Sequence, residues 1–323
     1  MQFLAWPEIE SFYNIRKYAA SHSEILNGNS NVLYMAKIKL HGTNAAVQVS
    51  TDGTVECQSR SSIITPDNDN AGFARWVMGN KEAWQAAMGY IIFGEWCGPG
   101  IQKNVAIAQI PKKVFVVFAA HPLDGSDTLI IEPAALHAAV GGIPDTYVLP
   151  WHWEGVLPID WSKSAEGLQS VADFINTKVQ EVEVNDPWVE TTFGVKGTGE
   201  GLVLYPVSEQ HLGFANFSNL VFKAKGEKHK NIKTAAPAEV NPAVVASVDA
   251  FVDMVLTPAR LEQGATTVGG LDMKLTGKFV SWILTDVQKE TTDELEVSQL
   301  EWKQVQKPLG DKARAWYLEQ AKK

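Results

Sequence analysis

The sequence is short of cysteine, of long apolar runs and of positive charge. Its two cysteines, Cys57 and Cys97, lack the spacing of a metal site and are too few for a disulfide framework, so a reducing, cytoplasmic compartment is expected. No apolar run approaches the roughly 18 residues that span a bilayer, and "MQFLAWPEIESFYN" lacks the basic-then-apolar order of an export signal. A soluble chain with no membrane partner is expected. The formal net charge of −9 argues against a broadly basic nucleic-acid surface, although net charge does not exclude a local patch. One such run, "KAKGEKHKNIK", sets Lys223, Lys225, Lys228, Lys230 and Lys233 against Glu227; its ordinary reading is a solvated face. Familiar nucleotide cradles are missing too. There is no G-x-x-x-x-G-K-[ST] loop, and "GTGEG" (197–201) precedes a strand pattern where a dinucleotide fingerprint needs a helix. No H-E-x-x-H occurs, and "WHWEG" (151–155) reads as aromatic packing, not as a ligand set.

What is present is enough apolar residue to build a large core: 45% hydrophobic, with eleven tryptophans, in 323 residues. "TNAAVQVSTDGTVECQ" (43–58) alternates about Asp52-Gly53, which predicts a hairpin with a two-residue turn. "NVLYMAKIK" (31–39), "YIIFGEW" (90–96), "KVFVVFAA" (113–120), "EGLVLYP" (200–206) and "NLVFKAK" (219–225) read as strands. Helical spacing appears at 71–88 and 167–183. Near "TAAPAEVNPA" (234–243) the composition turns linker-like, and helical patterns follow at 243–256, 275–290 and 310–323. The expected division is 1–234 and 235–323.

Chemistry points to "KIKLHGTNAAV" (37–47). Lys37 and Lys39 share a face of one strand, so alternation alone does not choose between them. Lys39 lies just before His41-Gly42, where glycine lets backbone approach a ligand, and Asn44 follows with an amide. An amine becomes a nucleophile when neighbouring cations or a dry pocket free its lone pair, and Lys223 and Lys225 end another predicted strand. Glu95 in "FGEW" and Glu200 in "GEGLV" put carboxylates beside glycines, suited to ribose hydroxyls or Mg²⁺. Phe115 and Phe118 could stack on a base, although strand aromatics are mostly core. Arg60 in "QSRSS" is a candidate phosphate clamp.

Taken in order, "KLHGTN", "SRS", "FGEW", "FVVF", "GEGLV" and "FKAK" resemble the covalent nucleotidyltransferases: RNA ligases, DNA ligases and mRNA capping enzymes. The histidine of "KLHGTN", "FGEWCGPGIQKNV" (93–105) and "KLTGKFVSWILTDVQKET" (274–291) look most like the T-even phage RNA ligase 2 family, with the trypanosome RNA-editing ligases; a phage-encoded protein fits that likeness. The resemblance implies an α+β fold: an ATP-grasp-like adenylyltransferase domain on antiparallel sheets, with ATP in a cleft between them, then a small all-helical C-terminal domain. A DNA ligase would more often carry a small β-barrel there. It implies an ATP-dependent RNA ligase, a monomer, joining 3′-hydroxyl and 5′-phosphate ends at nicks in duplex RNA or RNA-containing hybrids, with Mg²⁺ or Mn²⁺. Lys39 would carry AMP, the backbone at Ile38 would meet the adenine edge, and Asn44 and Arg60 would serve the later steps. Glu95 would hold ribose, Phe118 would stack on adenine, and Glu200 would organise the metal. Lys223 and Lys225 would neutralise phosphate and lower the pKa of Lys39. Two departures bear on Phe118: "AA" follows it where relatives are expected to carry aspartate, and "VV" precedes it where an aromatic is common, which leaves Phe115 as the alternative. Competing readings are a DNA ligase, a capping-type guanylyltransferase, and a catalytically silent RNA-binding protein.

Overall fold

The computed structural model describes residues 2–226, 248–291, 295 and 300–322. The chain divides into two compact units, Met1–Gly226 and Glu227–Lys323. The expected boundary near 235, the linker pattern at 234–243, and Lys228, Lys230 and Lys233 fall outside the described residues.

The first unit is mixed α+β, built on two sheets whose pairings are mostly antiparallel. One sheet has the order β1-β11-β10-β2-β9, with β1 Glu10–Ser11, β2 Asn31–Lys39, β9 Leu157–Asp160, β10 Gly201–Pro206 and β11 Phe222–Lys225. The other runs β5-β4-β3-β6-β7-β8, with β3 Thr43–Val49, β4 Val55–Ser59, β5 Ile63–Ile64, β6 Tyr90–Cys97, β7 Val114–Pro122 and β8 Thr146–Val148. Only Leu40, His41 and Gly42 separate β2 from β3, so the chain leaves one sheet for the other within three residues of Lys39.

Alternation assigns each strand two faces. In the six-stranded sheet Ala45, Val47, Val49, Ile92, Trp96, Phe115 and Val117 join an outer core, with helices α2 (Phe73–Gly79) and α3 (Pro133–Val140) contributing Phe73, Val77 and Leu136. Ile91, Phe93, Val116 and Phe118 join the larger core, which also holds Ala36, Ile38, Leu202 and Leu204 of the five-stranded sheet. The register of β6 on β7 slips between Phe93, opposite Ala119, and Gly94, opposite Val117. Phe118 is the extra residue of that bulge, and Phe118 and Ala119 consequently both belong to the larger core.

The hairpin predicted at 43–58 forms, but its loop is longer than two residues. Ser50 and Thr54 close the ladder through Ser50 N–H to Thr54 O at 3.0 Å, leaving Thr51, Asp52 and Gly53 outside, with Gly53 at φ +81°. That is a three-residue turn with glycine in its left-handed position. The strand expected at 219–225 begins only at Phe222, because Phe214–Leu220 coils into a helix that buries Phe217 and Leu220.

The second unit is helical among its described residues: Val248–Val255, Pro258–Thr267, Thr276–Glu290 and Trp302–Gln320. Phe251, Phe279, Ile283, Val305, Leu309 and Tyr317 form its core. Arg260 is fully buried there; its Nε donates to Asp286 at 2.9 Å and its Nη1 to the Val255 carbonyl at 2.8 Å. No helix among the described residues is long and apolar enough to cross a membrane.

Candidate active site

The strand register sets four lysines on one face of the five-stranded sheet. Gly201 is opposite both Lys39 and Lys225, and Val203 is opposite both Lys37 and Lys223. Directly opposed residues project to the same side, so the four amines form two rows facing the other sheet. Gly201 has φ +147°, and a Cβ there would stand 2.9 Å from the Lys225 Cα; a residue with a side chain does not fit between these strands. The chain enters β10 through a fixed loop. Asp186 caps the helix Pro187–Phe193 by accepting from the N–H groups of Trp188 and Val189, and its own N–H donates to the Gly197 carbonyl at 2.8 Å.

Glu200, 3% exposed, is the hub. Lys39 Nζ donates to its Oε2 at 2.8 Å, His41 Nδ1 lies 3.4 Å from the same oxygen, and Lys225 Nζ lies 3.6 Å from Oε1. Burial alone would raise this carboxyl, but Lys39, His41 and Lys225 outweigh it and hold Glu200 well below the usual carboxylate range. Glu95 meets the opposite balance. Burial pushes it up to about 7, with Lys39 pulling it back and the charge of Glu200 adding to the rise. The Gly42 N–H donates to its Oε1 at 3.1 Å, and Gln102 holds the other side of that glycine by donating to its carbonyl at 3.0 Å. A Cβ on Gly42 would come within 2.9 Å of the Glu95 Cγ and 2.7 Å of the Cys97 Sγ, so the approach depends on glycine.

A cavity of about 230 Å³ opens between the sheets, and Ile38, Lys39, Asn44, Arg60, Glu95, Phe118, Lys223 and Lys225 all line it. Glu200, also singled out from sequence, is off the wall but touches two residues that are on it. Phe115 is elsewhere: fully buried in the outer core against Phe73 and Trp84. Alternation from Val114 to Phe118 sets the two phenylalanines, three residues apart, on opposite faces of β7, and Phe118 is the one on the cavity wall.

Lys37 and Lys39, one residue apart in "KIK", meet different surroundings. The side chain of Lys39 keeps 21% of its surface open toward the cavity, whereas Lys37 is fully buried. Lys37 Nζ donates to the carbonyls of Phe118 at 2.8 Å and Ile131 at 2.7 Å and lies over the rings of Trp151 and Tyr205. Burial pushes Lys37 down to about 7, with Glu132 opposing.

Sequence reasoning missed the part played by the N-terminal segment. Trp6, Glu8 and Ile9 line the cavity, and the carbonyls of Gln2 and Leu4 accept from Gln48 and Gln58. Nothing in the local pattern of residues 2–9 marks this, because the contacts are all with distant strands. Val203 and Tyr205, also on the wall, were detectable as the alternate positions that follow Gly201. Among the described residues no three His, Cys, Asp or Glu side chains group as a metal cage.

Comparison with solved structures finds Naegleria gruberi RNA ligase. A point mutant with ATP and Mn superposes with a TM-score of 0.44 at 17% identity, covering 71% of this chain and 58% of that one. A mutant with AMP and Mn gives 0.44 at 18% identity over the same shares. An apo mutant gives 0.45 at 19%, covering 72% and 59%. This chain thus spans less than two thirds of the length of those ligases, and superpositions this loose carry no weight below. A family model described as RNA ligase matches residues 33–225, more than half of the 323 residues and, from within β2 to the end of β11, the stretch that carries Lys39, Glu95, Glu200 and Lys225. On that match the chain belongs to the RNA ligase family.

Proposed function

We propose that this chain is an ATP-dependent RNA ligase of the T-even phage RNA ligase 2 type, sealing 3′-hydroxyl and 5′-phosphate ends at nicks in duplex RNA or RNA-containing hybrids as a monomer. The observation that carries the reading is the position of Lys39: on the wall of a nucleotide-sized cavity, in contact with a carboxylate that Lys225 shares.

Lys39 Nζ loses a proton and attacks the α-phosphorus of ATP; the new N–P bond replaces the bond to the β-phosphate oxygen, and pyrophosphate leaves. Lys225, a second cation on the same carboxylate, favours loss of that proton, and Lys223 and Lys225 offset the charge of the triphosphate. Phosphoryl transfer needs in-line placement and charge neutralisation above all, and Lys39, Lys223 and Lys225 line the cavity. AMP then passes from Lys39 to a 5′-phosphate end, and the 3′-hydroxyl of the other end attacks that phosphate and releases AMP. Asn44 and Arg60 serve these later steps, Glu95 holds the ribose hydroxyls, Phe118 stacks on adenine, and the backbone at Ile38 meets its edge. Mg²⁺ or Mn²⁺ would supply further charge neutralisation at the phosphates. Glu200 and Glu95 are the hard oxygen donors at hand, and an ion that keeps waters and phosphate oxygens as ligands needs few from protein, in keeping with the absence of a cage among the described residues.

The test is intact-mass spectrometry after incubation with Mg²⁺ and either ATP or GTP, for wild type and Lys39→Ala. An AMP-sized gain with ATP alone, lost in Lys39→Ala, is the expected result. A GMP adduct would move the assignment to capping chemistry, and no adduct on protein shown to start free of AMP would leave a silent RNA binder. Ligation of nicked RNA against nicked DNA then separates the RNA ligase from the DNA ligase reading.

A further inference from the structure

Lys37 presents an unusual arrangement: a lysine with no exposed surface whose amine reaches from the five-stranded sheet to the carbonyl of Phe118 on β7 of the other sheet and to that of Ile131. Burying an ammonium is costly, and an apolar side chain of similar length would avoid that cost. What the amine does that a methionine cannot is donate to oxygen. One acceptor is Phe118, the bulged residue, whose place in the β6–β7 ladder is skipped. A bulge leaves its extra residue outside the ladder, with backbone groups that need partners. The Lys37 amine is one such partner for the Phe118 carbonyl.

The ring of Phe118 is held from a second direction. Trp6, 3% exposed, meets it edge-on with centroids 4.8 Å apart and is itself wedged against Phe93 and Phe217 at 5.0 and 5.7 Å. An aromatic pair in this geometry resists rotation of either ring.

We propose that Lys37 and Trp6 are positioning residues for nucleotide binding: the Lys37 amine pins the bulged backbone of Phe118 while Trp6 backs its ring, so that the ring presents one face to the cavity. This rests on the reading of Phe118 as the residue that stacks on adenine. A platform that must be flat against a base works only if its tilt is fixed, and a bulge without a cross-sheet tether would leave that tilt to the strand alone.

The experiment measures the rate of lysyl-AMP formation against ATP concentration in Lys37→Met, Lys37→Arg, Trp6→Leu and Phe118→Ala, and in the doubles that combine Lys37→Met or Trp6→Leu with Phe118→Ala. Lys37→Met and Phe118→Ala should each raise the half-saturating ATP concentration about tenfold, the order expected for losing one stacked base. The plateau rate should stay within about threefold, and Lys37→Arg should recover most of the loss. Each double should be no worse than Phe118→Ala alone, because a tether has no further effect once the ring is gone. Effects that add fully in the doubles, or that fall on the plateau in place of half-saturation, would overturn the proposal. If Phe118→Ala leaves half-saturation unchanged, it is the stacking role that fails; if the wild type forms no adduct, it is the ligase reading. Should Lys37→Met fail to fold, Trp6→Leu and its double decide the question from the ring side.

Discussion

Glu95 shows how a single residue can be set against the stability of its own domain. Its carboxyl is raised from 4.5 to about 7, chiefly by burial. A folded pKa above the unfolded one means that, as pH climbs from about 4.5 to 7, the unfolded chain releases a proton that the folded protein retains. Glu95 therefore costs progressively more stability over that window and its full amount above it. Glu95→Gln does not titrate, and its amide oxygen can still accept from Gly42. We expect its melting temperature to exceed that of the wild type by more at about pH 8 than at about pH 5, while its half-saturating ATP concentration rises. Thermal unfolding at both pH values checks this, and an equal difference at the two would count against it. Much of the site at this scale was legible beforehand. Lys39, Glu200 and Lys225 lie at strand ends and Glu95 near one, each within three residues of a glycine, and alternation plus close backbone approach is local information. The different surroundings of Lys37 and Lys39 were not, since both sit on one strand face and the opposing sheet, through the carbonyls of Phe118 and Ile131, distinguishes them.

Among the elements, β7 and the N-terminal segment depend least on local pattern. "KVFVVFAA" reads as a regular strand, yet its register slips at Phe118, and a regular strand would have placed Phe118 and Ala119 on opposite faces. Bulges depend on the partner strand, which periodicity within one segment cannot represent. The first nine residues show no periodicity at all, but Gln48 and Gln58, each 2% exposed, donate to the carbonyls of Gln2 and Leu4, and Arg60 Nη1 lies 3.5 Å from the Pro7 carbonyl. Removing residues 2–7 would expose two buried amides and empty the Trp6 socket. Each amide left without its partner costs about 1–3 kcal/mol if it stays dry. The truncated protein should melt lower and need more ATP for half-saturation. Measuring both with Trp6→Leu alongside separates the socket from the amides, and a truncation with unchanged melting temperature would show that the segment holds nothing in place. The helices at 169–184 and 276–290 follow the predicted periodicity closely, because an amphipathic stripe is contained within the segment itself.

For the whole molecule, a net charge of −9 has to coexist with the proposed binding of a polyanion. The proposed RNA contact must therefore be concentrated, and the lysines from Lys223 to Lys233 are the densest run. Affinity for nicked RNA should fall steeply with salt, linearly on logarithmic axes. Replacing Lys228, Lys230 and Lys233 together with glutamate should weaken binding and flatten that slope, while lysyl-AMP formation from free ATP continues. An isotherm insensitive to salt in the unsubstituted protein would exclude a phosphate-led contact.

The three-residue passage from β2 to β3 has a mechanical consequence. In the proposed reaction Lys39, Glu200, Lys223 and Lys225, which meet phosphate, ride on or just beside one sheet, and Glu95 and Phe118, which grip ribose and base, ride on the other. The site is a vice whose two jaws are joined at the nucleophile, with the Lys37 amine as a bolt across the gap. Any parting of the jaws would stretch the Lys37 bonds to the Phe118 and Ile131 carbonyls, so the bolt also limits how far the two halves of a bound nucleotide can be drawn apart.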